Sequence, residues 1–203
     1  MIHIFKRGTS EITLCLLHSE GHDENELMHV AKVIDPHANI LAIRGNVIEN
    51  GVYRFCKRKT MGVYDEKSLI EETHRLKSFI NESARSFGFD INKVVVVGNG
   101  CGANIAINML LHYDKAFHKA ILFHPMIPKR ITNLPNLNQC KIFIGAGEND
   151  YLTPQHEVVE LTQILQSANA IVDVYFTKYG HQLSKDEIEA ARIWCKEKVI
   201  YDV

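Results

Sequence analysis

The sequence predicts an α/β fold with a doubly wound, mostly parallel sheet, and three observations indicate it. Continuous apolar runs recur along the chain, amphipathic segments separate most of them, and glycine-rich or polar loops follow them. Apolar runs without alternation are typical of parallel strands that helices cover on both faces. Because crossovers between such strands are right-handed, the loops after the strands are expected to meet at one edge of the sheet.

Six apolar runs are the predicted strands. They cover residues 12–17, 40–43, 93–97, 120–123, 142–144 and 171–176. Residues 65–87 carry apolar side chains at three- and four-residue steps, which predicts an amphipathic helix packed on the sheet. Thr153 before Pro154 predicts an N-cap followed by proline at the first helical position. Ser184 and Glu187 have the spacing of a capping box, so a last helix is expected to begin there.

Composition limits the class of partner. The chain has 203 residues and no Pro/Ser/Gly-rich divider, which favours one domain over residues 1–203. A formal net charge of −1 with 23% charged residues argues against a nucleic-acid groove or a polybasic membrane face. No run approaches the ~18 apolar residues of a membrane span, so we expect a cytoplasmic location. The expected partner is a small ester or aromatic molecule, and the sequence leaves monomer and homodimer open.

Cysteine and histidine spacing gives no sign of a metal site. The five cysteines form no C-x-x-C pair, and their odd number argues against a full disulfide framework. We therefore expect reduced thiols. His18, His22 and His124 are scattered and are expected to shape loops or the pocket wall. Neither a metal nor a cofactor is expected.

The sharpest local signal is residues 98–102 (GNGCG), between the third predicted strand and an amphipathic helix over 103–111. In a nucleophile elbow of the G-x-S-x-G type, small residues two places on either side of the nucleophile let strand and helix approach. Gly98 and Gly102 fill those flanking places. Gly100 stands at the centre, where it tolerates a strained backbone but has no atom to attack a carbonyl.

Candidates for an acid and a base follow downstream. The fifth predicted strand runs into a polar loop that ends at Asp150, and His181 precedes the last predicted helix. The chain order nucleophile, Asp, His is that of α/β-hydrolases, in which the acid fixes the imidazole tautomer. The first strand leads into Ser19 and Glu20, where such a fold places one oxyanion-hole N–H. The other is expected from the backbone of Cys101.

Together these segments resemble the small bacterial carboxylesterases of the phospholipase/carboxylesterase group. The resemblance spans about residues 10 to 200 and rests on LLHSEGHDEN, RGNVIENGVYRF, FDINKVVVVGNGCGANIA, HPMIPKR, FIGAGENDYLTP and YGHQLS. It implies a minimal α/β-hydrolase fold without a large lid and a serine esterase for short, soluble esters. The family's acid falls on Asp150, its base on His181, its hole loop on Ser19 and Glu20, its elbow N–H on Cys101 and its serine on Gly100.

Two loops depart from the family pattern. Besides Gly100, the first loop reads HSEGH over residues 18–22 where the family has His-Gly-Thr-Gly-Gly. A glycine is lost and a carboxylate is gained. A carboxylate ~4 Å from a developing oxyanion would oppose it by about 4 kcal/mol at an effective dielectric of ~20, so we expect Glu20 to point to solvent. Ester hydrolysis is expected to be impaired.

Three alternatives stay open. Cys101 would be the nucleophile of a cysteine-dependent hydrolase if the elbow slipped by one residue, although Asn99 and Ala103 are then bulky flanks. A non-catalytic protein would use the pocket to bind or sense a small aromatic or electrophilic ligand. As a third reading, Gly100 would be an engineered replacement in a working serine enzyme. Residues 53–59, rich in arginine and aromatics, either line the cleft or form a solvated basic loop.

Overall fold

A seven-stranded sheet carries the fold in a computed structural model that describes residues 1–60, 62–131 and 133–200. The described strands are β1 (His3–Lys6), β2 (Thr13–Leu17), β3 (Asn39–Ile43), β4 (Val47–Glu49), β5 (Val52–Arg54), β6 (Arg58–Thr60), β7 (Val63–Tyr64), β8 (Val94–Asn99), β9 (Lys119–Phe123), β10 (Lys141–Gly147) and β11 (Ile171–Thr177). The main sheet has the order β1-β3-β2-β8-β9-β10-β11, and β1 runs antiparallel to β3. The pairs β4–β5 and β6–β7 form two small hairpins before the first long helix.

Helices cover both faces of this sheet. They are α1 (Met28–Ile34), α2 (Glu66–Phe87), α3 (Cys101–His112), α4 (Gln155–Ser167) and α5 (Lys185–Cys195), with a 3₁₀ turn at Ile91–Lys93 and a π-helical turn at Lys196–Ile200. The helices α1 and α5 share an apolar cluster with one face of β2, and α2, α3 and α4 share another with the opposite face. Within the described ranges, no helix has the length and apolar character needed to cross a bilayer.

The structure confirms the doubly wound α/β fold, and each predicted strand is present with its ends shifted by three residues at most. Sequence analysis missed β1 and the two hairpins, because short edge strands with exposed side chains carry no continuous apolar run. The helix predicted over 65–87 is α2, which the Asp65 side chain caps. The Ser184–Glu187 capping box at the start of α5 is also confirmed.

The predicted start of α4 is wrong by one residue. Thr153 is not the N-cap of α4, because Pro154 occupies that place with an extended backbone (ψ 152°) and the helix begins at Gln155. The Thr153 N–H instead donates to Asp150 Oδ1 at 3.0 Å. The polar loop before α4 is therefore organised around Asp150 rather than around the helix end.

Parallel register brings the loops after five strands to the same edge. Leu17 at the end of β2 pairs with Gly98 of β8, and Asn99 of β8 pairs with Phe123 at the end of β9. At the far side, Gly147 of β10 pairs with Thr177 of β11. The residues that directly follow these strands are thus placed around one opening, where open α/β sheets bind ligands.

Two glycines allow α3 to sit against the strand ends. A Cβ built on Gly98 would lie 2.7 Å from the Ala103 backbone nitrogen, and one built on Gly102 would lie 2.1 Å from the Leu17 carbonyl oxygen. Real Cβ atoms do not approach backbone so closely. The sharp turn from β8 into α3 therefore requires glycine at both flanks.

We expect Gly102→Ala to destabilise the protein severely, because the clash is with backbone that cannot rotate away. The free energy of unfolding from urea titration should fall by about 3 kcal/mol or more. Gly51→Ala is the matched control, because that Cβ meets open space and the change costs only the left-handed backbone (φ 77°), about 1–2 kcal/mol. Equal losses in the two variants would contradict the packing argument.

Candidate active site

Gly100 forms the apex of the turn between β8 and α3. Its backbone is left-handed (φ 49°, ψ −113°), and its N–H donates to the Phe123 carbonyl at 3.0 Å. A Cβ built here would have one neighbour within 4 Å in the described chain, the Ser19 Cβ at 3.5 Å, which is an ordinary contact. Unlike the two flanking glycines, Gly100 is therefore not required by packing.

Asp150 and His181 form a hydrogen-bonded pair beside this apex. His181 Nδ1 lies 2.7 Å from Asp150 Oδ2, and the backbone N–H groups of Leu152 and Thr153 donate to the other carboxylate oxygen at 2.8 and 3.0 Å. Burial opposes the charged form of Asp150, but the Thr153 N–H and the His181 ring outweigh it, so the pKa of Asp150 is lowered. A carboxylate on Nδ1 leaves Nε2 of His181 as the nitrogen that can accept a proton.

A second histidine, His124, binds the same carboxylate from inside the protein. It follows β9, its ring is fully buried, and its Nδ1 lies 3.1 Å from Asp150 Oδ2. Its Nε2 lies 3.2 Å from Glu187 Oε1, an ion-pair contact whose angle is poor for a hydrogen bond. Burial lowers the pKa of His124, but Glu187 and Asp150 outweigh it, so the net pKa is raised. His124 thus lies between two buried acidic side chains, which favour its charged form.

Among the described residues, His124, Asp150 and His181 are also the one group of three whose ligand atoms lie close enough together to hold a metal ion, all within 4.8 Å. Both rings, however, use Nδ1 toward the same carboxylate oxygen, at 3.1 and 2.7 Å. Those are hydrogen-bond distances, with a proton between the atoms, whereas zinc–nitrogen distances are about 2.0–2.1 Å. The group therefore fits proton transfer better than coordination.

The loop after β2 is held by internal hydrogen bonds. Buried His18 donates through Nδ1 to the Ser19 carbonyl at 2.7 Å, and its Nε2 accepts the Gly45 N–H at 3.0 Å, so the ring carries its proton on Nδ1. Burial lowers the pKa of His18, consistent with a neutral ring. The Ser19 N–H, in the Ser19–Glu20 loop that was predicted to give one oxyanion-hole N–H, donates to Glu26 Oε2 at 2.6 Å. The structure thus directs this N–H to a carboxylate of its own chain.

The predicted elbow N–H belongs to Cys101, which opens α3. The first-turn amides of a helix have no intrahelical acceptor, so this N–H is disposed toward an anion at the pocket. The Cys101 thiol turns elsewhere and donates to the His18 carbonyl at 3.5 Å. Burial raises the pKa of this thiol to about 12.

The expectation that Glu20 points to solvent is wrong. Arg54 Nη2 lies 2.7 Å from Glu20 Oε1, and Arg58 Nη1 lies 2.6 Å from Glu20 Oε2. Arg54 also pairs with Glu49 at 2.6 Å. Two guanidinium groups thus bind the Glu20 carboxylate through charge-assisted hydrogen bonds, so the protein and not the solvent sets its position. Arg54 and Arg58 therefore neutralise the charge of Glu20, and Arg58 also lines the cleft.

A pocket of about 800 Å³ joins these groups. Ser19, Glu20, Gly100, Cys101 and His181 all line it, so five of the six residues singled out from the sequence share one cavity, and buried Asp150 lies directly behind His181. Further walls come from Leu27, Tyr64, Met126, Leu152 and Leu183. Sequence reasoning missed the roles of Glu26, of Glu187 and of His124 as a partner of Asp150. His124 directly follows a predicted strand, and this place in the sequence was the signal that could have identified it as a site residue.

Comparison with known proteins gives a consistent result. The Dienelactone hydrolase family pattern matches residues 45–195. A Bacillus subtilis (strain 168) protein named "Putative hydrolase MhqD" is 44% identical over 200 residues, which is 98% of this chain and 100% of that protein. A carboxylesterase structure from Bacillus cereus is 41% identical with a TM-score of 0.94, covering 96% of this chain and 93% of the other. A structure of YahD with malic acid is 34% identical with a TM-score of 0.92, covering 97% and 98%.

The His124 contacts predict how stability depends on pH. A histidine whose folded pKa is raised contributes stability that is complete below its unfolded pKa of about 6.5 and is lost as pH rises through the folded pKa. The free energy of unfolding should therefore fall above pH 6.5, by up to about 1.4 kcal/mol per pH unit, and His124→Gln should flatten this slope. Urea titrations from pH 6 to 9 measure it, with His112→Gln on the exposed end of α3 as the control for losing a histidine. An unchanged slope in His124→Gln would contradict a raised pKa of His124.

The cysteines should be unreactive in the folded protein. Burial raises the thiol pKa to about 12 for Cys15, Cys101, Cys140 and Cys195, and raises that of Cys56 as well. Because the thiolate is the nucleophile, iodoacetamide at pH 8 should alkylate none of them in a time that fully labels glutathione. Intact mass spectrometry should show five adducts only after unfolding in urea. Rapid native labelling at Cys101 would instead revive the thiol alternative.

Proposed function

The chain belongs to the dienelactone hydrolase family and is a hydrolase of the carboxylesterase type, and on this basis we propose that it acts on small soluble esters at a rate limited by Gly100. The observation that carries the proposal is the Asp150–His181 pair, 2.7 Å apart, whose histidine lines the same pocket as the apex of the β8–α3 turn. In this proposal the family's attacking serine would stand at position 100. A glycine there leaves the acid and the base without their nucleophile.

The remaining groups support slow hydrolysis. His181 Nε2 would take a proton from the attacking group and return it to the leaving alcohol, while ionised Asp150 stabilises the imidazolium. The Cys101 N–H would donate to the oxyanion. Removing a triad serine leaves roughly 10³ to 10⁴-fold acceleration over water in serine proteases, which comes from such groups and from binding. We expect activity of that residual order.

The pocket supports small substrates with an apolar part. Three leucines and Met126 give this wall of mostly polar residues an apolar part, and the charge of Glu20 is balanced by Arg54 and Arg58. An uncharged aryl or short alkyl ester would meet apolar contacts near the base without displacing an ion pair. We expect the natural substrate in this class, with no cofactor, nucleic acid or membrane as partner.

The cysteine-dependent alternative has little support. The Cys101 thiol donates to the His18 carbonyl, and its pKa is raised to about 12, so it carries almost no thiolate at neutral pH. Catalytic cysteines have the opposite property, a pKa lowered by a neighbouring histidine or helix end. A non-catalytic ligand-binding role has no observation of its own in the pocket and becomes an outcome of the experiment below.

We expect Gly100→Ser to raise kcat/KM for p-nitrophenyl acetate by about 10²- to 10⁴-fold, because it supplies the missing oxygen opposite His181. The added Cβ would meet the Ser19 Cβ at 3.5 Å, so the side chain fits. Gly100→Ala is the matched control, since it carries the same backbone strain without a hydroxyl. Adding His181→Gln to Gly100→Ser should remove the gain.

Two results would contradict the proposed function. If Gly100→Ser folds but remains as slow as the parent protein and Gly100→Ala, position 100 is not the site of the nucleophile. If none of the proteins turns over esters while calorimetry detects p-nitrophenol or a similar small aromatic in the pocket, the binding role replaces the enzymatic one.

A further inference from the structure

The Tyr64 hydroxyl accepts, and does not donate, in its hydrogen bond with Asn104. Asn104 Oδ1 accepts the Met126 N–H at 2.8 Å, and a backbone N–H can only donate, so this contact fixes which end of the amide carries the oxygen. Asn104 Nδ2, which lies 2.6 Å from the Tyr64 hydroxyl oxygen, is therefore the donor of that pair. The proton of the Tyr64 hydroxyl must point elsewhere.

That proton has only a poor acceptor among the residues that the structure describes. The Tyr64 hydroxyl lies 3.8 Å from Met126 Sδ, and a thioether sulfur accepts hydrogen bonds weakly. Burial raises the pKa of Tyr64, so the hydroxyl keeps its proton at any ordinary working pH. Because a buried donor without a good acceptor is unfavourable, an oxygen of a bound ligand would improve on the sulfur.

Tyr64 borders the pocket one helical turn away from the apex. The Asn104 N–H donates to the Gly100 carbonyl at 2.9 Å, so the contact between Tyr64 and Asn104 lies about 6 Å along α3 from residue 100. Tyr64, Asn104 and Met126 line the same pocket as Gly100 and His181. A short side arm on a substrate carbonyl held beside Gly100 would therefore extend toward the Tyr64 hydroxyl.

The two parts of an ester would occupy different sides of this pocket. In the proposed function His181 gives a proton to the leaving alcohol, so the alcohol lies on the His181 side. A second cavity of about 640 Å³ continues from there, and its described lining includes Tyr151, His181 and Leu183 but not Tyr64. The leaving group thus has room beyond His181, which directs the acyl group toward the hairpin that carries Tyr64.

We propose that Tyr64 determines the acyl specificity of the pocket by donating a hydrogen bond to an oxygen in the acyl chain. Esters of alkoxy, hydroxy or keto acids are then preferred to esters of plain alkanoic acids. This inference rests on the proposed function and narrows its substrate class. The hydroxyl gives up only a contact with sulfur, while Asn104 continues to hold its oxygen in place. A plain alkyl chain would leave the hydroxyl without a partner.

Two p-nitrophenyl esters with acyl chains of equal length test this donor. In the methoxyacetate an ether oxygen replaces one methylene group of the butyrate, so the two esters differ by a single acceptor. Tyr64→Phe keeps the ring and removes the hydroxyl. It should lower the ratio of kcat/KM for the methoxyacetate to kcat/KM for the butyrate by about three- to tenfold. Comparing this ratio between proteins cancels the intrinsic reactivities of the esters and any general loss of activity.

Tyr113→Phe is the matched control, because it removes a tyrosine hydroxyl that contacts His74 outside the pocket. Its ratio should equal that of the unaltered protein. The same comparison in the Gly100→Ser background gives a larger signal. If Tyr64→Phe is folded by urea titration and keeps the parent ratio, Tyr64 is only part of the wall and the proposal is overturned.

A second measurement needs neither turnover nor a variant. The compounds p-nitrobenzyl methoxymethyl ketone and p-nitrobenzyl propyl ketone replace the ester oxygen of the two substrates by a methylene group, so they cannot be hydrolysed. Calorimetry with the unaltered protein should give the methoxymethyl ketone the lower Kd, although the propyl ketone is more apolar. Equal or tighter binding of the propyl ketone would overturn the proposal, because a wall without a donor disfavours an ether oxygen.

The two proposals fail separately. If neither the parent protein nor Gly100→Ser hydrolyses any ester, the proposed function is lost, and the two ketones still decide whether Tyr64 binds a ligand oxygen. If Gly100→Ser is active but the ester ratio does not respond to Tyr64→Phe, the acyl specificity is wrong and the proposed function stands.

Discussion

The close approach of α3 to the ends of β2 and β8 is the constraint on which the pocket depends. Gly98 and Gly102 permit it, because any Cβ there would overlap backbone of the helix or of β2. The approach directs the first-turn amides of α3 at the opening and forces the intervening residue into a left-handed conformation. Gly100 satisfies that backbone at no steric cost, so the turn has the strand–turn–helix shape of a nucleophile elbow with no side chain at its apex.

Buried charge gives the pocket its second constraint. Asp150 accepts hydrogen bonds on both oxygens, and His124 links it to Glu187, a residue with no exposed surface. Burying two acidic side chains is unfavourable unless each is compensated, and the histidine between them, together with the hydrogen bonds that each side chain accepts, supplies that compensation. Because Glu187 also closes the capping box of α5, the start of the last helix and the orientation of the His181 ring are coupled through one set of contacts.

In the loop after β2, the effect of a residue on the pocket depends on the side chains that pair with it. Taken alone, Glu20 places a negative charge near a developing oxyanion, yet Arg54 and Arg58 neutralise it from the hairpins before α2. Ser19 also borders position 100, because its Cβ lies 3.5 Å from the place that a Cβ on residue 100 would occupy. Residues 19 and 100 are therefore neighbours in space, although about eighty residues separate them in the chain.

The sequence by itself determined the sheet, most of its helices and the loops in which Asp150 and His181 lie, because apolar runs, helical periodicity and glycine spacing are local properties of the chain. It also predicted that Gly100 stands at the centre of the turn between β8 and α3, which the structure confirms. Only the tertiary structure decided that His124 and Glu187 complete the buried network, that Glu20 is paired and that Ser19 contacts His22 and Glu26. These pairings join side chains from different loops, and their rotamers depend on how crossovers and hairpins pack, which no local pattern records.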